Sequence, residues 1–235
     1  MKKLLTIAGI ILVSISQSFA QCNSNYYRFE EGAEFEMTSY NGKDKEQGKS
    51  ISKITDITEN GSAYHAMVNA QIYDKKDKLV HEGEYEVICE DNKIRVNMER
   101  FVPSEMLEAY QDMEVEFEGD YLEMPSSLSV GETLPDGSMS MKVKMGGADM
   151  NLSDIKINVI NRKVEGKETI TTPAGTFDCY KITYDTESQM KVMGMGKTRL
   201  FKNEEWLAEG VGVVKTSSYD DKGKLQHYSL LTAYK

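Results

Sequence analysis

The chain has 235 residues, with 38 acidic against 28 basic side chains and a net charge of −10. Such a balance repels phosphate backbones and anionic headgroups, which argues against nucleic-acid binding and against charge-driven attachment to a membrane. The length suits one large β domain or two small ones.

Lys2 and Lys3 form a positive n-region, and Leu4 to Ile15 is an apolar run. Its dozen or so residues fall short of the roughly 20 that span a bilayer. Ser18-Phe19-Ala20 then sets small residues at the −3 and −1 positions of a signal peptidase site. Residues 1–20 are expected to be a cleaved secretory signal, leaving 21–235 as a β-rich exported domain, with a possible division into halves near 125–135. No later stretch is long and apolar enough to span a membrane, so no stable insertion is expected after cleavage. The expected location is periplasmic or secreted. Gln21 stands where a lipoprotein signal carries a small residue, which argues against lipid anchoring through Cys22.

The cysteines are Cys22, Cys89 and Cys179. Export to an oxidising compartment favours one disulfide. Cys22 on the N-terminal tail and Cys89 at a strand end can meet without distorting a core, so Cys22–Cys89 is the expected pair. Cys179, beside Phe177 in mid-strand, reads as a buried small hydrophobe.

Period-two alternation then runs through the chain. Strands are expected over Ala33–Tyr40, Ser50–Ile57, Ser62–Tyr73, Leu79–Cys89 and Asn92–Met98, with Glu59-Asn60-Gly61 as a hairpin turn. A short helix is expected from Pro103 to Tyr110, on the apolar spacing of Met106, Leu107 and Tyr110. Strand character resumes at Val115 and Phe117 and again at Tyr121–Met124, followed by a loop from Pro125 to Pro135. Further strands are expected over Ser138–Met145, Leu152–Asn161, Arg162–Thr171, Thr176–Asp185, Lys191–Phe201, Val211–Tyr219 and Leu225–Tyr234. Thr172-Pro173-Ala174-Gly175 reads as a three-residue hairpin with a bulge. The fold class is all-β with one short helix, an antiparallel meander of about a dozen strands forming a curved, partly open barrel or a sandwich.

The blocks TPAGTF (172–177) and GVGVVK (210–215), with YYRFEEGAEFEMTSYN (26–41) following a signal and a cysteine, resemble the TapB-like exported proteins of some Gram-negative bacteria. These are related to the family named for domain of unknown function 3108. The resemblance implies an exported β-rich protein and brings no functional residues with it.

Catalytic motifs do not emerge from the residues. There is no nucleophile elbow, P-loop or dinucleotide fingerprint, and His65, His81 and His227 lack ligand-like spacing. An enzyme would have to assemble Cys179, His65 and His227 in the fold. Methionine is the unusual feature, with Met139, Met141 and Met145 in one segment and Met193 and Met195 in another; clustered thioethers can hold Cu(I), or simply fill apolar gaps. No cofactor is expected. The preferred reading is a non-catalytic carrier of an apolar small molecule, its mouth covered by the Pro103–Tyr110 helix. The alternative is a cell-envelope structural or assembly factor acting through protein contacts.

Overall fold

The computed structural model describes residues 26–91, 93–98, 113–119, 121–144, 151–192 and 195–235. The expected Pro103–Tyr110 helix lies outside them. Among the described residues, thirteen strands form one antiparallel sheet: β1 (Glu34–Asn41), β2 (Glu46–Asn60), β3 (Ala63–Asp74), β4 (Leu79–Glu90), β5 (Lys93–Asn97), β6 (Glu114–Gly119), β7 (Tyr121–Pro125), β8 (Gly137–Lys144), β9 (Asn151–Thr172), β10 (Gly175–Val192), β11 (Met195–Ala208), β12 (Gly212–Tyr219) and β13 (Leu225–Tyr234). Alternation in the sequence becomes alternation of faces. In β8, Gly137, Met139, Met141 and Val143 are buried, while the serines and lysines between them are half-exposed, as a period of two requires of a strand with one packed face.

The strand order is β6-β8-β9-β10-β11-β12-β13-β1-β2-β3-β4-β5-β7. Its two edges, β6 and β7, are separated in sequence by residue 120 alone. The chain thus changes partner between them: Glu114–Gly119 pairs with β8, and Tyr121–Pro125 pairs with β5. This curls the sheet into a nearly closed, partly open barrel in which one split strand bridges the gap. Pro125 is tolerated because it ends β7, an edge strand of the described sheet.

Two glycines permit the crossing. A Cβ on Gly119 would lie 2.7 Å from the Met139 Cα and 2.9 Å from the Ser138 carbonyl oxygen, and one on Gly137 would lie 2.7 Å from Leu122 Cδ1. At Gly119 the obstacle is backbone, which cannot move aside without breaking the β6–β8 pairing. Gly119→Ala is therefore expected to cost about 1–3 kcal/mol by overpacking. Gly166→Ala, where nothing lies within 4 Å of the added carbon, should be nearly silent. Urea denaturation of the two variants side by side checks this.

The interior is filled by contiguous clusters. Met98, Leu122, Met139, Met141, Ile155 and Val159 pack at the split-strand end. Val164, Ile182, Leu207 and the buried Tyr26 pack mid-barrel, and Ile54, Val68, Val87 and Ile94 pack under β2–β5. A further cluster joins Cys179, Trp206, Val214 and Leu231, where the β9–β10 turn reaches β13 through a hydrogen bond from the Ala174 amide to the Leu231 carbonyl, 3.3 Å.

The sequence reading differs from the structure at several strand ends and turns; β10, expected to end at Asp185, runs on to Val192. Leu152–Asn161 and Arg162–Thr171 are one strand, β9, because Asn161 takes a left-handed φ of 57° that bends the strand without ending it. Asparagine tolerates that conformation, and here its amide donates to Asp185 at 2.9 Å. Lys191–Phe201 is not one strand, since Val192 pairs with Met195 across a two-residue connection. The β9–β10 turn also holds two residues, not three, because Thr172 pairs with Gly175.

Candidate functional site

Where the closing segment changes partner, the barrel wall opens into a cleft of about 160 Å³. Asn97 and Met98 line one bank, Phe117, Glu118 and Met139 the other, and Tyr121 stands at the crossing. Tyr121 donates a 2.6 Å hydrogen bond to Glu86 on β4, whose other carboxylate oxygen accepts from His65 Nδ1 on β3 at 2.8 Å. His65 and Glu86 are about three-quarters buried at the side chain. Burial pulls the Glu86 carboxyl upward, but the hydrogen bonds from Tyr121 and His65 outweigh it and hold its pKa below the ordinary glutamate value.

A depressed carboxylate contributes stability that is present above its unfolded pKa and is lost as pH falls through its folded pKa. Stability is therefore expected to decline as pH drops below about 4–5, and the decline should be shallower in Glu86→Gln. Urea denaturation across that pH range measures the difference.

The other half of the seam is held by Arg162, buried on β9. Among the described residues β7 has no strand partner on its outer edge, and Arg162 Nη1 donates to its Glu123 carbonyl at 2.7 Å and also to the Pro135 carbonyl. The 126–136 loop returns alongside through Gly131 N to Val164 O (2.8 Å) and Leu134 N to Arg162 O (2.9 Å). Arg162 also lines an internal cavity with Glu205, Tyr184, Ile182 and Val159. That cavity is about 20 Å³, which is room for one water.

The residues singled out from sequence do not converge. Met139 and Met141 are buried core side chains packed on Met98 and Ile155. Met145 and Met193 lie outside the described residues, and only the backbone of Met195, at the start of β11, is described. Among the described residues, no group of histidine, cysteine and carboxylate side chains could hold a metal ion. Cys179 is a free, buried thiol, and burial with the nearby Asp178 charge pushes its pKa up to about 11. That is the reverse of an activated nucleophile. His65 is tied to Glu86 on β3–β4, and His227 is exposed on β13; neither belongs to the cluster around Cys179. Cys89 is disulfide-bonded, and Cys22 lies outside the described residues. Arg162, Gly119 and Tyr121, which make the seam, were not legible in advance, because their roles depend on where the sheet closes.

The fold and seam define a class, a thirteen-strand antiparallel barrel closed by a split strand. The chain belongs to the DUF3108-like family, which matches residues 30–231. Two solved structures share its fold. A "putative exported protein with YmcC-like fold" from Bacteroides fragilis is 24% identical, with a TM-score of 0.72 over 90% of this chain and 99% of that one. A "putative lipoprotein" from Parabacteroides distasonis is 20% identical, with a TM-score of 0.74 over 91% and 99%. No curated protein matches the chain at a significant level. The second relative corrects the localisation expected from Gln21. The same barrel occurs in a chain described as a lipoprotein, so the argument against lipid anchoring through Cys22 does not stand.

Proposed function

We propose that residues 1–20 export the chain and that the mature protein works without catalysis, as a cell-envelope factor acting through contacts of its outer surface. The observation that supports this over carriage of an apolar ligand is the filled interior. Pockets that enclose a small-molecule ligand measure about 300–1,000 Å³, whereas among the described residues the internal cavity beside Arg162 is about 20 Å³ and the seam cleft about 160 Å³. The outer surface carries the excess acidity of the chain, which suits it to basic partner surfaces. Crosslinking in intact cells is expected to capture the same partner across chemically different reagents. Recovery of the uncrosslinked chain alone with every reagent would contradict the reading.

Cys22 is the partner we assign to Cys89. The chain has three cysteines, and the bonded state of Cys89 together with the free state of Cys179 supports that pairing. The TPAGTF and GVGVVK blocks continue to support a narrower kinship with TapB-like exported proteins inside the family.

A further inference from the structure

Three hairpins of this barrel are the same object. The β1–β2 turn reads Asn41-Gly-Lys-Asp-Lys45, the β3–β4 turn Asp74-Lys-Lys-Asp-Lys78 and the β12–β13 turn Asp220-Asp-Lys-Gly-Lys224. In each, Oδ1 of the first residue accepts the amides of the third and fifth, at 2.9 and 3.2 Å, 2.8 and 3.0 Å, and 3.0 and 2.9 Å respectively. The first amide donates to the fifth carbonyl at 2.9–3.0 Å. The fourth residue takes a positive φ of 58°, 57° and 77° in turn. This geometry is specified by the asparagine or aspartate at position one and by the left-handed residue at position four. Positions three and five take part in the turn through backbone groups alone, yet all six are lysine: Lys43, Lys45, Lys76, Lys78, Lys222 and Lys224. The turn does not require them.

The three turns are neighbours at one end of the barrel, because the strands run in the order β12-β13-β1-β2-β3-β4. The Gly42 amide donates to the Gln226 carbonyl at 2.8 Å, and Tyr228 reaches Asp44 at 3.0 Å while stacking on Tyr40. Lys49 joins the next turn through Asp77 at 3.0 Å. Successive hairpins are two strands apart, so the lysine pairs recur about every 10 Å along the rim. All six lysines are exposed, and none is in an ion pair among the described residues. Four of the five turn aspartates are held: Asp74 and Asp220 by their own turn amides, Asp44 by Tyr228 and Asp77 by Lys49; the fifth, Asp221, is exposed at position two of the third turn.

The geometry points to a binding site on this rim for an extended anionic polymer, a carboxylate- or phosphate-bearing chain of the kind found in envelopes. A row of paired ammonium groups matches a line of charge. A flat anionic bilayer would bring the acidic body of the protein, net charge −10 overall, toward a like-charged surface, whereas a thin chain touches the rim alone. This polymer site goes beyond the protein contacts proposed above.

The test uses the mature full-length protein with labelled polyuronate and polyphosphate chains and, in parallel, vesicles containing phosphatidylglycerol. The wild type should bind at least one polymer at low salt, weakening as salt rises. Replacing all six lysines by glutamine should weaken it at least about tenfold. Variants altered one turn at a time should each lose part of that, which keeps the test readable should the sixfold variant misfold. Six lysines changed elsewhere (Lys53, Lys156, Lys163, Lys191, Lys197 and Lys202) serve as the control for overall charge. Failure of the wild type to bind either polymer, equal loss in the control, or binding to vesicles in preference to both polymers would each overturn the proposal. A captured protein partner would be unaffected by any of these outcomes.

Discussion

Replacing Arg162 with alanine is expected to cost about 3–5 kcal/mol, among the largest losses available to a single side chain in this fold. Arg162 is 3% exposed, and its guanidinium closes the seam by donating to carbonyls that no described strand reaches, those of Glu123 and Pro135. Its removal leaves buried acceptors unpaired. It also removes the cation that shares a cavity wall with Glu205, itself 8% exposed. Arg162→Ala combined with Glu205→Leu should therefore lose less than the two single changes summed. Urea denaturation of the wild type and the three variants gives the cycle. A loss below about 1 kcal/mol for Arg162→Ala would place it among ordinary surface changes and remove the seam from the account.

Loss of the Cys89 disulfide is the second large effect. A native disulfide in an exported domain is typically worth about 2–5 kcal/mol, and the proposed bridge would tie the N-terminal tail to the end of β4. Cys89→Ser and Cys22→Ser should then destabilise the protein equally, and the double substitution no further. Non-reducing peptide mapping of the mature chain should show the two residues joined. The same measurement addresses anchoring, because one sulfur cannot carry both a lipid thioether and a disulfide. A lipid-modified Cys22, with no loss of stability in Cys22→Ser, would overturn the pairing.

Most of the strands were readable from alternation, because each packs one face inward. Phe35 and Met37 in β1, or Ile94 and Val96 in β5, announce themselves against polar neighbours. The strand ends at Asn161 and Val192 were less legible. A left-handed asparagine can equally end a strand or bend it, and only the continuous pairing partner β10 decides which. The methionines illustrate the same limit for function. Met139 and Met141 have the spacing of a ligand pair, but packing against Met98 and Ile155 makes them core. The seam was hidden altogether, since Gly119, Tyr121 and Arg162 acquire their roles only when sheet edges distant in strand order meet. The turn lysines were visible as charged loops, but their equivalence required the hydrogen bonds.

The claim that this barrel acts through its surface and not through an enclosed ligand is tested most directly by native mass spectrometry. The protein should be purified gently from its own host. A single species at the mass of the mature polypeptide, with any covalent lipid accounted for by the denatured mass, is the expected result. A stoichiometric, non-covalently bound apolar molecule of several hundred daltons, lost on denaturation, would contradict it.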